Sequence, residues 1–307
     1  MVLILSDAFD TSTTNVLEWL NFLGKKWTRI NSQDSIELEF AGQDIVIKTD
    51  EKSIRLSEIT SYWYRRGYFT VKNSYRTGVE QFDILQSKEF SKIIDFLHHR
   101  LSKVKHINSF SNQDVNKLIS ADTARSVGIH TPEDYLFSNA KNLLDHRTRS
   151  SEDFITKVIS GDCVHSFDDF TIFNYTKNLN EEIDTDSFFP SLIQSKIQKK
   201  YELRIFYLDK KFYPMAIFSQ RDNLTSVDFR NYNHDRPNRT VPFKLPDEIE
   251  QKLILLMEKL DLNCGSIDMV VTPNDDFVFL EVNPVGQFGM VSYPCNYGLE
   301  RKIAEYL

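Results

Sequence analysis

The sequence is poor in several features that mark common protein classes. Its three cysteines, Cys163, Cys264 and Cys295, are far apart and form no CxxC pair, so neither a zinc knuckle nor a disulfide framework is predicted. Only ten of its 307 residues are glycine, and neither GxGxxG nor GxxxxGK[ST] occurs. A Rossmann dinucleotide site and a Walker P-loop are therefore unsupported. No arrangement of Ser, His and Asp or of Cys and His suggests a catalytic nucleophile, so the covalent hydrolases are set aside.

Positive charge and long apolar runs are also scarce. The chain carries 37 basic and 44 acidic residues, a net charge of −7, which argues against a dedicated nucleic-acid binder. No apolar stretch approaches the roughly 20 residues that cross a bilayer. Because Asp7 follows at once and no basic segment comes first, residues 1–5 are interpreted as a buried strand and not a signal peptide. We expect a cytoplasmic globular protein without a membrane or nucleic-acid partner.

Hydrophobic periodicity predicts an α/β (α+β) protein built from three segments, residues 1–106, 107–190 and 191–307. Apolar residues at helical spacing predict helices that include Asn112–Val127 and Asp247–Leu260. Leu192–Ile197 is predicted as a strand, within an edge-like segment that spans Pro190–Gln198.

The sharpest signal is a predicted hairpin near the C-terminus, with strands Ser266–Thr272 and Phe277–Val282. With Asn274-Asp275 at the tip, Asp268 faces Glu281 and Val270 faces Phe279, since directly opposed residues lie close together. The two-residue period of a strand places Asn283 on the same face as Glu281. Three oxygen-bearing side chains, Asp268, Glu281 and Asn283, are thus predicted to converge.

The apolar setting of these side chains favours a metal site. One face of the hairpin is predicted to be wholly apolar, with Ile267, Met269, Val271, Val278, Leu280 and Val282. Two carboxylates in such strands are costly unless a cation or hydrogen-bond partners compensate. Oxygen ligands alone suit Mg²⁺ and not zinc. The alternative is a solvated sheet rim in which Asn283 forms a turn.

Several basic residues could contact phosphate. Lys157 lies in a predicted apolar strand, and Lys117 lies in the first half of a predicted helix. Each could present a point charge to a nucleotide, or could be an ordinary surface lysine. The Pro190–Gln198 segment could bind adenine through backbone groups, or could be a plain core strand.

Arginines are the second group of candidates. Arg204 lies in a predicted strand, Arg221 and Arg230 flank a polar stretch, and Arg65-Arg66 ends a strand near the N-terminus. A guanidinium suits a transferring phosphoryl group or a carboxylate. Taken singly, each could also be a salt-bridged surface residue.

Together these motifs resemble the metal-binding signature and layout of the ATP-grasp superfamily. The whole chain resembles, more narrowly, the grasp-with-spasm peptide maturases, relatives of the microviridin ligases that make graspetides. The stretches that carry this resemblance are Trp63–Gly67, Phe188–Ser191, Tyr213–Gln220, Val227–Arg230, Arg236–Arg239 and Glu281–Gly289.

The resemblance implies an ATP-grasp fold of three lobes: an N-terminal pre-ATP-grasp lobe, a central lid and a C-terminal lobe with the metal site, with ATP held between two antiparallel sheets. It implies ATP and two Mg²⁺ ions as cofactors. The implied ATP contacts are Lys117, Lys157, Gln194, Ser195, Lys196, Ile197 and Glu202. The implied metal ligands are Asp268, Glu281 and Asn283. The implied catalytic residues are Arg204, Arg221 and Arg230, and Arg65, Arg66, Asp228 and Arg236 would contact the substrate.

The resemblance also implies a reaction. ATP would phosphorylate an Asp or Glu side chain of a ribosomal precursor peptide, made of leader and core, and a Thr or Ser hydroxyl or a Lys amine of the same peptide would displace phosphate. The polar 160–187 region would close as a lid, and relatives lead us to expect a homodimer. Two alternatives stay open: an intermolecular ligase that adds amino acids to a tail, as glutamate-tail ligases do, and a non-catalytic peptide-binding scaffold.

Overall fold

The computed structural model describes residues 1–72, 77–160, 164–166, 168–173, 176–179, 185–220 and 237–307. The chain forms two compact units. Unit 1 comprises Met1–Gln113 and Pro284–Leu307, and unit 2 comprises Asp114–Asn283. The division into three segments stays a prediction.

Unit 1 is built on a four-stranded sheet in which all neighbouring strands are parallel, in the order β2-β1-β6-β8. The strand β1 is buried throughout, as expected for a parallel sheet with both faces covered. A second sheet has the order β5-β4-β3-β7. The helices and strands of unit 1 are β1 (Val2–Ser6), α1 (Thr11–Phe22), β2 (Trp27–Asn31), β3 (Ser35–Ala41), β4 (Asp44–Lys48), β5 (Ser53–Arg55), β6 (Ser61–Tyr64), β7 (Thr70–Val71), α2 (Glu80–Leu101), β8 (Lys105–Ile107), α6 (Gly289–Cys295) and α7 (Leu299–Tyr306).

Unit 2 contains two larger antiparallel sheets. A four-stranded sheet has the order β13-β10-β14-β9, and a five-stranded sheet has the order β17-β16-β15-β18-β19. A separate two-stranded sheet pairs β11 with β12. The elements of unit 2 are α3 (Lys117–Ser126), β9 (Asp134–Asn139), α4 (Ala140–Arg149), β10 (Phe154–Lys157), β11 (Val164–Ser166), β12 (Thr171–Phe173), β13 (Lys177–Asn178), β14 (Ser187–Ser195), β15 (Tyr201–Leu208), β16 (Lys211–Phe218), β17 (Arg239–Pro242), α5 (Asp247–Lys259), β18 (Cys264–Val271) and β19 (Phe277–Asn283).

The main core of unit 2 lies on one face of the five-stranded sheet. Alternate residues of β15 and β18 point into it, and α5 contributes Leu253, Leu256 and Met257. Burial of this apolar face stabilises the sheet and fixes which residues point the other way, because strand side chains alternate between faces. Arg204 and Asp268 consequently lie on the face opposite this core.

The hairpin of β18 and β19 differs from the predicted regular ladder. Asp268 pairs with Glu281 as predicted, but Met269 pairs with Phe279, and Val270 pairs with Val278. A β-bulge between Asp268 and Met269 accommodates Leu280 as an extra residue. The predicted pairing of Val270 with Phe279 is therefore wrong.

The bulge also changes the predicted apolar face. Phe279 and Val282 both belong to the core, although in a regular strand residues three apart point to opposite faces. The extra residue of the bulge, which lies between them, shifts the alternation by one position. The placement of Val278 and Leu280 on that face is wrong, and Phe279 packs there instead.

Other predicted elements need smaller corrections. The helix predicted from Asn112 begins at Lys117, because the Asn116 side chain accepts from the N–H groups of Leu118 and Ile119 and caps it. The strand predicted as edge-like is internal, since β14 pairs with both β10 and β9. Near the C-terminus, α6 (Gly289–Cys295) precedes α7 (Leu299–Tyr306), and α6 was not predicted. Among the described helices, none is long and apolar enough to cross a membrane.

Candidate active site

Three charged residues form a row across the five-stranded sheet. Arg204 on β15 pairs with Asp268 on β18, and Asp268 pairs with Glu281 on β19. Asn283 follows on β19, where it pairs with Ser266. The register thus brings together Arg204, which was predicted as catalytic, and the three predicted metal ligands Asp268, Glu281 and Asn283.

The ion pair of Arg204 and Asp268 is the most buried part of the row. Arg204 Nη1 donates to Asp268 Oδ2 at 2.5 Å, and the two side chains are 10% and 12% exposed. Arg204 Nε is also buried and has no hydrogen-bond partner among the described residues. A guanidinium in such surroundings holds a donor that a bound anion can satisfy.

Lys117 connects Glu281 with the segment after β10. Its Nζ lies 3.1 Å from Glu281 Oε2 and donates to the backbone oxygen of Val158 at 3.1 Å. Position 158 directly follows Lys157, the last residue of β10. The amino group of Lys117 is therefore held next to both predicted phosphate-binding and metal-binding residues.

Glu202 lies on the same face as Arg204, two residues earlier on β15. Lys199 Nζ donates to Glu202 Oε1 at 2.6 Å, and Ser219 Oγ donates to the same oxygen at 2.7 Å. Burial raises the pKa of the Glu202 carboxyl above its ordinary value, although Lys199 and Ser219 oppose the effect. The ATP contacts predicted from the sequence included Glu202 but neither Lys199 nor Ser219.

The four-stranded sheet has one face packed in a small core and one face carrying polar groups. Phe154 and Ile193 pack with Leu143 of α4. Because Gln194 pairs with Ile155 and Leu192 pairs with Lys157, the side chains of Gln194 and Lys157 share the opposite face. Two predicted ATP contacts from separate strands are thus on one surface of the sheet.

Some backbone donors of the predicted adenine segment already have partners. Ser195 N–H donates to Glu133 O at 3.1 Å, and Lys196 N–H donates to Asp153 O at 2.8 Å. The Ser195 hydroxyl donates to Glu152 Oε2 at 2.5 Å. Contacts with a base would therefore use other groups of the segment, such as the Ile197 N–H or the Gln194 side chain.

The remaining predicted residues fall into two sets. Arg221, Asp228, Arg230 and Arg236 lie outside the described residues. Arg65 and Arg66 belong to unit 1, where Arg65 is 3% exposed, forms a 3.0 Å ion pair with Asp10 and donates to Val285 O at 2.7 Å. Arg66 is exposed. Their proposed contact with a substrate stays a prediction.

Comparison with solved structures identifies the fold. The chain is similar to the macrocyclase MdnC bound with precursor peptide MdnA from Microcystis aeruginosa MRC, with 26% identity and a TM-score of 0.79 over 100% of this chain and 98% of that one. It is similar to a RiPP-associated ATP-grasp ligase from Chryseobacterium gregarium in complex with ADP and a leader and core peptide, with 22% identity and a TM-score of 0.80 over 99% of this chain and 94% of that one. No family model and no curated protein matches the sequence.

The architecture is therefore that of the ATP-grasp ligases, as the sequence predicted. Within that class the chain resembles RiPP macrocyclases such as MdnC and also MdnB, which has 20% identity and a TM-score of 0.76 over 100% of this chain and 98% of that one.

Proposed function

We propose that the protein is an ATP-dependent, ADP-forming ligase that closes rings in a ribosomal precursor peptide. The observation that carries the proposal is the buried row of Arg204, Asp268 and Glu281, with Lys117 bound to Glu281, in a chain that is similar over its whole length to a macrocyclase. Such a row provides both charges that phosphoryl transfer needs: oxygen ligands for a cation and a cation for the transferred group.

The proposed reaction has two steps. A carboxylate oxygen of the peptide attacks the γ-phosphorus of ATP, forming an acyl-phosphate and releasing ADP. A hydroxyl or amine of the same peptide then attacks the acyl carbon, loses its proton, and expels phosphate to leave an ester or an amide. The proposal assigns to Arg204 the binding of the transferred phosphoryl group or the acyl-phosphate, and the buried Nε, which lacks a partner in the described region, supports this role.

The donor set of the row fits a hard divalent cation. Asp268, Glu281 and Asn283 offer only oxygen ligands, which Mg²⁺ prefers. The ion pairs use Oδ2 of Asp268 and Oε2 of Glu281, and a carboxylate has about four lone-pair directions, so an ion pair does not preclude metal binding. The described residues contain no cluster of three or more His, Cys, Asp or Glu that could hold a metal ion; this trio has two carboxylates and an amide. Bound Mg²⁺ would supply charge stabilisation to the transferred phosphoryl group.

We assign a precursor peptide made of leader and core as the partner, because MdnC is bound with precursor peptide MdnA and the Chryseobacterium gregarium ligase is in complex with a leader and core peptide. A cytoplasmic location is supported by the need for ATP and by the scarcity of cysteine, which occurs at three scattered positions without a CxxC pair.

The test combines the purified protein with ATP, Mg²⁺ and a synthetic peptide encoded by a neighbouring short reading frame. The expected result is ADP release and a peptide that has lost one water per linkage. Asp268→Asn should lower turnover by at least about 100-fold, while Asp145→Asn, at an exposed position of α4, should not. Added residue masses on the peptide would instead indicate tail ligation, and absence of nucleotide binding would indicate a scaffold.

A further inference from the structure

A chain of polar contacts fixes the side chain of Gln194 in the four-stranded sheet of unit 2. Gln194 Nε2 donates to Asp134 Oδ1 at 2.5 Å, and Arg125 Nη1 lies 3.1 Å from Asp134 Oδ2. Arg125 Nη1 also donates to Thr131 Oγ1 at 2.8 Å. The Asp134 side chain, 13% exposed, is thus held from two sides.

The contact with Asp134 determines which end of the Gln194 amide remains available to a further hydrogen-bond partner. A carboxylate accepts hydrogen bonds and does not donate them, so only the NH₂ group of the amide can face it. The amide oxygen must therefore point away from Asp134. An amide partner at position 134 would impose no such choice, because an amide offers both a donor and an acceptor.

The amide oxygen of Gln194 is an acceptor that lacks a donor. Gln194 is 4% exposed, and its Oε1 is buried without a hydrogen-bond partner in the described parts of the chain. A buried polar atom left in this state lowers the stability of the folded chain, so native structures seldom contain one without a reason. Gln194 shares its face of the sheet with Lys157, the predicted phosphate contact, and not with the packed core of Phe154 and Ile193. The missing donor is therefore expected on the nucleotide side.

We infer that Asp134 is a positioning residue: it orients the Gln194 amide so that its oxygen recognises the substituent at the 6-position of a purine. The inference rests on the proposed nucleotide-dependent function. Adenine carries an amino group at this position, which can donate to Gln194 Oε1. Hypoxanthine and guanine carry an oxygen there, which would face Oε1 with a second acceptor. The arrangement selects 6-amino over 6-oxo purine nucleotides.

The test measures equilibrium binding of ADP and IDP, with Mg²⁺, by titration calorimetry. IDP differs from ADP at the 6-position and in the protonation of N1, and no peptide substrate is needed. The wild-type protein should bind ADP at least about tenfold more tightly than IDP, as expected for one buried hydrogen bond gained or lost. Equal affinities for the two nucleotides in the wild-type protein would overturn the inference without any variant.

Asp134→Asn is the decisive variant. The new amide can donate to Gln194 Oε1, which lets the Gln194 amide turn and present its NH₂ group, so the preference for ADP should fall several-fold through a gain in IDP affinity. If the role of Asp134 were purely structural, the substitution would weaken the binding of both nucleotides equally. The ratio of the ADP and IDP affinities would then be unchanged, which would overturn the inference. Asp145→Asn makes the same chemical change at an exposed position and should preserve the wild-type ratio.

Gln194→Met is the second variant, in case Asp134→Asn does not fold. It keeps the length of the side chain and removes the amide, so the preference for ADP over IDP should fall several-fold, and only the difference at N1 remains to distinguish the two nucleotides. An unchanged ratio of the two affinities would contradict the inference. A wild-type protein that binds neither nucleotide would instead reject the proposed function itself, which separates the two failures.

Discussion

Arg204 and Asp268 face each other on neighbouring antiparallel strands, with Arg204 Nη1 2.5 Å from Asp268 Oδ2 and both side chains about nine-tenths buried. Their burial has a consequence for stability as well as for chemistry. Removing two charges from water is costly, and their mutual attraction offsets that cost only while both are present. Each residue therefore depends on the other in the folded state.

Arg204→Met should destabilise the protein by about 3 kcal/mol, because it leaves the Asp268 carboxylate buried without its cation. Adding Asp268→Leu to the same chain should restore much of the loss, since a matched apolar pair replaces a broken ion pair. Urea unfolding followed by far-UV circular dichroism measures both.

The matched control for Arg204→Met is Lys252→Met. Lys252 forms an i,i+4 ion pair with Glu248, whose side chain is 75% exposed. Breaking such a pair should change the free energy of unfolding by no more than about 0.5 kcal/mol. Equal effects of the two substitutions would contradict the mutual dependence of Arg204 and Asp268.

Lys117→Met should weaken ADP binding about tenfold or more, because the proposed function assigns to the ammonium, held between Glu281 Oε2 and Val158 O, a charge-assisted contact to phosphate. Lys141→Met, at an exposed position of α4, should leave the affinity unchanged. Calorimetric titration with ADP and Mg²⁺ provides the comparison, and an unaltered dissociation constant for Lys117→Met would remove Lys117 from the nucleotide site.

The hairpin shows how far the sequence determines this site. A regular ladder with Asn274-Asp275 at its tip predicts that Asp268 faces Glu281, and they do face each other. Near the tip, however, Val271 pairs with Phe277, one residue out of the predicted register. The bulge at Leu280 compensates for that shift, so the pairing of Asp268 with Glu281 is correct although the ladder that predicts it is not.

A bulge of this kind is hard to predict because alternation alone does not reveal it. Every residue from Phe277 to Leu280 is apolar, so the sequence alone does not show which alternate residues of β19 face the core. The packing of Phe279 against the core decides the phase. The positions of Lys199 and Asp134 were missed for a similar reason: their partners, Glu202 and Gln194, are known only once strands are paired. By contrast, the ATP-grasp fold could be predicted because sequence motifs such as Glu281–Gly289 resemble those of that superfamily.

The buried Glu202 should make the stability of unit 2 depend on pH. Burial raises its folded-state pKa above the ordinary value of 4.5, so the folded chain binds a proton more readily than the unfolded chain over this window. The free energy of unfolding should therefore fall as pH rises from 4.5 through the raised pKa. Glu202→Gln should remove this part of the pH dependence in urea unfolding followed by circular dichroism, whereas Glu258→Gln, on the exposed surface, should not. An identical slope in the Glu202→Gln variant would contradict the assignment.

His98 should give unit 1 the opposite pH dependence. Its ring stacks on Phe110 with centroids 4.2 Å apart, and burial lowers its pKa from 6.5 to about 4. Because the unfolded chain binds the proton first, stability is fully present above pH 6.5 and is lost as pH falls towards the folded-state pKa. The loss of unfolding free energy between pH 7 and pH 5 should be about 2 kcal/mol.

Tryptophan fluorescence can follow the unfolding of unit 1, because this unit contains all three tryptophans of the protein, Trp19, Trp27 and Trp63. His98→Gln should lack this loss and His99→Gln, at an exposed position, should retain it, since only the buried ring changes its pKa on folding.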